Sequence, residues 1–144
     1  MSKPPHIADT EAYVDSIFGA GTGESHVRFL DRIQNEALRE MIHRYHTLEA
    51  DTSELSLQEN YLIGMCVLLS QRDYTAASLF AKTLLHLGAR KEKLLEATAR
   101  LAMWIGGLPA VDASFAIQKA IREYEKEGLA SLGVWFPAPS ESRK

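Results

Sequence analysis

LSLQENYLIGMCVLLSQRDYTAASLFAKTLLHLGARKEKLLEATARLAMWIGGLPAVDASF, residues 55–115, decides the fold. Three apolar helical segments follow one another in it, and Gly106-Gly107-Leu108-Pro109 breaks the third. Ser56-Leu57-Gln58-Glu59 has the form of a capping box, in which the serine accepts from the third helical amide and the glutamate reaches back. The helix it opens, to about Gln71, is apolar nearly all round, which predicts a central position. Asp73 predicts the N-cap of the next helix. That helix has Ala77, Phe80, Ala81, Leu84 and Leu87 on its apolar side and Thr75, Ser78, Lys82 and His86 on the other. Gly88 suits the left-handed residue that ends a helix. Arg90 to Ile105 reads as a further helix with Leu94, Leu95, Thr98, Leu101, Ala102 and Ile105 inward. Pro109 suits the first residue of a last helix, which turns Ala113, Ile117, Ala120, Ile121 and Tyr124 inward and ends at Gly128.

Upstream, the pattern is helical from Ser25. Val27, Leu30, Ile33, Ala37, Leu38, Met41, Ile42 and Tyr45 share one face, which predicts burial, and Arg32, Glu36, Arg39, Glu40 and His43 share the opposite, solvated one. Glu40 to His43 spells ExxH, half of a di-iron site, but the chain has no second copy and the reading is a solvated face with no metal. Residues 1–8 include a Pro-Pro pair and predict a loose terminus, with a helix starting at Asp9-Thr10-Glu11. Gly19, Gly21 and Gly23 are spaced GxGxG with no strand before them, so they predict a hinge and not a nucleotide loop. The tail from Leu129 to Pro139 is apolar, and Trp135 and Phe136 need a surface to bury them. The expected organisation is therefore an N-terminal segment over 1–24, a helical domain over 25–128 and an apolar tail over 129–144.

A chain of 144 residues is one domain's worth and can bury a core. The net charge of −3, with no block of Lys and Arg, argues against a nucleic-acid partner. The longest apolar run, Leu62 to Leu69, is far short of the roughly 20 residues a membrane span needs. Cys66 is the single cysteine, so no disulfide forms within the chain. With no signal-peptide pattern, the cytoplasm is the expected location.

One lane of the central helix mixes chemistries. Glu59, Ile63, Cys66 and Ser70 recur at steps of four, three and four, which aligns a carboxylate, a thiol and a hydroxyl. Glu59 reads as a cap or a base, and Cys66 as a small buried hydrophobe or a reactive thiol. His86 and Lys82, four apart, suit solvent, a subunit interface or a ligand.

Several motifs in register carry a family resemblance. Leu55-Ser56-Leu57 with Leu62-Ile63-Gly64-Met65, then Leu84-Leu85-His86-Leu87-Gly88, then Arg90-Lys91-Glu92-Lys93-Leu94-Leu95-Glu96, then Trp104-Ile105-Gly106-Gly107-Leu108-Pro109-Ala110 follow one another. In that order they resemble the carboxymuconolactone decarboxylase family, which shares its fold with the AhpD-type alkylhydroperoxidases. The resemblance covers a little under half of the chain. It implies an all-α, AhpD-like bundle of about six helices and a homo-oligomer, commonly a trimer or hexamer, with sites near subunit boundaries. The family's catalytic histidine falls on Phe80, the two cysteines of the peroxidase CxxC on Asp73 and Ala76, and the usual core-helix arginine on Asn60.

Two functions follow as expectations. In the first, the chain is a cofactor-free lyase or isomerase for a small carboxylated or carbonyl compound. Glu59 is then the base, Cys66 the acid or nucleophile and His86 a catalytic partner, with Lys82, Tyr61 and Trp104 binding the substrate. In the second, it is a non-catalytic oligomeric subunit that binds a small ligand or a partner. A thiol peroxidase would need Cys66 of another subunit as its resolving thiol.

Overall fold

The computed structural model describes residues 5–50 and 54–135, with side-chain surroundings for 9–50 and 54–133. The fold is all-α: among the described residues every regular element is helical and none is a strand. The helices are α1 (Pro5–Phe18), α2 (Thr22–Leu30), α3 (Glu36–Glu49), α4 (Leu57–Ser70), α5 (Tyr74–His86), α6 (Lys91–Arg100), the single turn α7 (Ala102–Ile105) and α8 (Gly107–Glu127). A 3₁₀ segment, Gly128–Trp135, follows. None of the described helices is long and apolar enough to cross a membrane. The described residues divide into two compact units, one of 5–50 and 54 with 132–135, the other running Leu55–Ser131.

In the first unit α1 packs on α2 and α3. The helix begins at Pro5, earlier than the expected start at Asp9, because proline's fixed φ and missing N–H suit a first helical turn. The glycines do not form a loose hinge. Gly21 takes φ 88 in the tight turn between α1 and α2. Gly23 lies inside α2, where its N–H donates to Asp15 Oδ1 at 2.7 Å and any Cβ would strike the backbone of Glu11. This is a close helix crossing that only glycine permits.

The expected continuous helix from Ser25 to Tyr45 is two helices. Asn35 caps α3 by accepting from the Leu38 N–H at 2.9 Å, and Arg32 sits in the intervening turn with its guanidinium over the Phe29 ring. The break lets α3 rotate, and its expected faces are reversed. His43, expected in solvent, is fully buried beside Thr10, whereas Leu38, Met41 and Tyr45, expected inside, are exposed.

In the second unit α8 is the hub, packed on α5, α6 and α7, while α4 packs mainly on α5. The core is Met65 and Leu69 of α4, Ala77, Ala81 and Leu84 of α5, Leu94 of α6, and Ala113, Ile117, Ala120 and Ile121 of α8. The caps form as the residues dictate: the Ser56–Glu59 box, Asp73 accepting from the Ala76 N–H at 3.1 Å, and left-handed Gly88 at φ 91. The helix expected at the centre is at the edge. Met65 and Leu69 face the core, but Ile63 and Val67 are exposed, so the apolar residues all round α4 leave one side uncovered. The expected aromatic tail lies partly outside the described residues: Phe136 is among those not described, and Trp135 closes the 3₁₀ segment.

Gly64 lets α4 meet α5 closely. A Cβ at that position would run into the Phe80 ring, which also packs against Tyr61 with centroids 5.0 Å apart. Gly64→Ala should therefore destabilise the protein by about 1–3 kcal/mol through overpacking. Adding Phe80→Leu should recover part of that loss, which urea unfolding of the single and double variants measures.

Candidate functional site

Capping chemistry accounts for the placement of Glu59. It is exposed at the start of α4, where its Oε2 accepts from the Ser56 N–H at 2.7 Å and its own N–H donates to Ser56 Oγ at 3.1 Å. The backbone bond to Ser56 above all, then the serine hydroxyl and the charge of Lys93, hold its carboxyl below the ordinary carboxylate range. A base near neutrality needs the opposite shift. Cys66, two residues past Gly64, is half-buried against the core, and burial pushes its thiol up, away from the reactive thiolate. Ser70 donates to the Val67 carbonyl of its own helix at 2.6 Å. In the lane, Glu59, Ile63 and Ser70 are exposed while Cys66 packs against the core, and two of its three polar groups are bonded locally.

The two α5 candidates tie that helix to α8. Lys82 was expected on the polar side of its helix but is 5% exposed. Its Nζ donates to Glu123 Oε2 at 2.7 Å and to the Ser131 carbonyl at 2.8 Å, so the buried charge is paired. The bond from Lys82 is the main reason that the Glu123 carboxyl is held below its ordinary range. One turn on, His86 Nδ1 lies 3.3 Å from the Tyr124 hydroxyl. Tyr61 is taken up by its contact with Phe80, and Trp104 on α7 is 81% exposed. Asp73 and Ala76, where the resemblance would put a CxxC, form a helix cap, and Phe80, where it would put a histidine, packs its ring on Gly64 and Tyr61.

One concave surface in this unit could hold a small ligand. It is an open cleft of about 450 Å³ where the end of α5 meets α6, lined by Gln58, Gly88, Ala89, Arg90, Glu92, Lys93 and Glu96. Gln58 Nε2 donates to the Leu87 carbonyl at 2.7 Å and fixes one wall. Arg90 and Lys93 offer cations for a carboxylate, while Glu92 and Glu96 oppose one, and the Arg90 Nε lies 3.5 Å from Glu92.

The first unit holds a polar cluster that periodicity did not reveal. The Tyr13 hydroxyl donates to Glu49 Oε2 at 3.1 Å, and the same oxygen lies 3.2 Å from His46 Nδ1. His46 Nε2 lies 2.9 Å from Nε2 of His26, and His43 Nδ1 lies 2.8 Å from Thr10 Oγ1. If His46 donates from Nδ1 to the carboxylate, its Nε2 is an acceptor and His26 must donate from Nε2. The only signal in the sequence was the three-residue step His43, His46, Glu49 on the side of α3 opposite its apolar stripe. Among the described residues no group of three or more His, Cys, Asp or Glu is arranged to hold a metal ion.

No protein-family model matches the chain, and no curated protein or solved structure is significantly similar to it.

The Lys82–Glu123 bond is testable in two ways. Glu123→Ala leaves a buried ammonium with only the Ser131 carbonyl and should cost about 1–3 kcal/mol, at the lower end because Glu123 is partly exposed. Lys82→Met, which removes the charge as well, should cost less. Both Glu59 and Glu123 are held below their ordinary range in the folded chain. Their contribution to stability is therefore present above the unfolded carboxyl's range and is lost as pH falls through the lower folded values. Melting curves between pH 7 and pH 3 should show a shallower acid-side decline for Glu59→Gln and Glu123→Gln than for the wild type.

Proposed function

We propose that the chain is an AhpD-like subunit that works by self-association and binding, without the acid–base turnover of the family it resembles. The observation that carries this reading is the apolar surface of α7 and the start of α8. Trp104 and Leu108 are each 81% exposed, and Met103, Val111 and Phe115 are exposed beside them in sequence. Leu108, Val111 and Phe115 recur at three- and four-residue steps, so they share one side of α8. Isolated exposed leucines are ordinary, but a cluster with tryptophan and phenylalanine marks an interaction surface.

The occupant we assign is a second copy of the chain. The same unit exposes Ile63 and Val67 on α4, a different helix. Two unlike apolar faces on one body suit a head-to-tail contact, which forms a ring when the rotation between copies closes. The motif resemblance, which implies a trimer or hexamer, agrees with that arrangement. The candidate catalytic groups support binding over chemistry. Glu59 is committed to a cap, Cys66 is held as a thiol, and Lys82 and His86 join α5 to α8.

The cofactor-free lyase or isomerase is the second reading, and the cleft beside Arg90 and Lys93 favours it, since Glu59 feels the charge of Lys93. A substrate carboxylate held there would lie near a carboxylate base.

Sedimentation analysis tests the assembly. The wild type should run as an oligomer, and Trp104→Ser with Phe115→Ser should lower its mass while helicity is retained. A monomeric wild type overturns the reading. A thermal-shift screen with small carboxylates, lactones and keto acids separates the two functions. A rise in melting temperature that Lys93→Ala or Arg90→Ala abolishes, accompanied by turnover that Glu59→Gln abolishes, would move the assignment to the lyase.

A further inference from the structure

Two imidazoles face each other in the first unit. Nε2 of His26 on α2 lies 2.9 Å from Nε2 of His46 on α3, with the ring centroids 5.0 Å apart. Both helices pack on α1, and this bond joins them to each other beside it. A hydrogen bond between two nitrogens needs one that carries a proton and one that does not. Whichever tautomers the rings take, one of the two Nε2 atoms is bare. The bonded pair therefore holds at most one positive charge. A second charge sets N–H against N–H, and with His26 buried the repulsion is poorly screened by water.

We propose that the His26–His46 pair is an acid-sensitive clasp, which holds α3 in place while one Nε2 is bare and releases it when both are protonated. The groups around the pair suit one charge and not two. Glu49 Oε2 lies 3.2 Å from His46 Nδ1 and also accepts from the Tyr13 hydroxyl of α1, so a single carboxylate faces the pair from α3. His43 behaves differently. Its Nδ1 lies 2.8 Å from Thr10 Oγ1, and a hydroxyl both donates and accepts, so that bond survives protonation of the ring. Of the other charged groups on these helices, Asp15 accepts from the Gly23 N–H, Glu24 pairs with Arg28 on the exposed side of α2, and Arg39 donates to the Ile33 carbonyl. Glu11 lies where α1 crosses Gly23. Once α3 is released, each imidazole takes its own proton near the ordinary histidine value of about 6.5. The released state then binds more protons than the clasped one, so acid favours release. A difference of one proton raises the opening equilibrium about ten-fold for each pH unit below that value. The clasp lies in the first unit and does not rest on the α7–α8 surface proposed above.

Hydrogen exchange of the full chain at pH 7.5 and pH 5.5, corrected for the intrinsic pH dependence of exchange, tests the clasp. Both values lie above the ordinary carboxylate range of about 4, so histidine is the side chain expected to change charge between them. Amides of α3 should lose about ten-fold in protection at pH 5.5 while those of α5 and α8 keep theirs. His26→Gln, whose side-chain amide can still donate to His46 Nε2 but takes up no proton, should keep α3 protected at both values. Nitrogen NMR of the wild-type imidazoles gives a reading that needs no variant: His26 and His46 should both become imidazolium only as α3 loses protection. Two imidazolium signals with α3 still protected would overturn the proposal, as would unchanged protection of α3 at pH 5.5. An equal loss in His26→Gln would overturn it in favour of His43 as the acid-sensitive group. A loss shared by α5 and α8 would overturn it in favour of general acid unfolding.

Discussion

Alanine brings α5 and α8 together, and the second unit is built on that approach. Ala77 and Ala81 on one helix and Ala113 and Ala120 on the other are almost fully buried, and each lacks the side chain that would hold the axes apart. Leu84 and Ile117 fill the space that remains, and Met65, Leu69 and Leu94 close it from α4 and α6. At this spacing polar side chains can also reach across. Lys82 meets Glu123 and His86 meets Tyr124 one turn apart, so the seam carries apolar contact along one line and hydrogen bonds along its margin. An ammonium that is nearly buried is tolerable only because the short distance supplies an anion and a carbonyl.

That arrangement bears on function. The groups with the best chemical credentials by residue type are the ones the fold uses for its own cohesion. The Phe80 ring packs on Gly64 and Tyr61, and the Asp73 carboxylate caps a helix. The arrangement favours a body that holds a shape and offers surfaces, and its uncovered apolar side chains lie on α4, α7 and α8.

Local chemistry was legible in the chain and long-range partnership was not. The capping box at Ser56, the cap at Asp73, the left-handed end at Gly88 and the helix end at Gly128 depend on residues within a few positions, and each forms where the sequence places it. So do the inward residues of α6 and α8, Leu94, Thr98, Ala113, Ile117 and Ala120, because one dominant apolar face admits one orientation. Lys82 was misplaced because its partner lies 41 residues away, and no period marks a pair that distant. For α4, apolar residues on every side indicated burial without saying which side would be covered. Of the candidate site, the sequence showed which side chains share a helix face and offered the cap for Glu59, but not that Lys82 and His86 would each be bonded to α8.

The reversal of α3 shows how a correct pattern can give the wrong side. Its apolar stripe is regular, and the periodicity argument has no fault within the helix. What decides the orientation is hydrogen bonding: Thr10 with His43, Tyr13 with Glu49, and His26 with His46. Polar groups taken from water must find partners, and once three such contacts are made on one side of a 14-residue helix the other side has to face out. A stripe that composition marks for burial and the chain's own packing leaves in water is a demand for a surface the described chain does not supply.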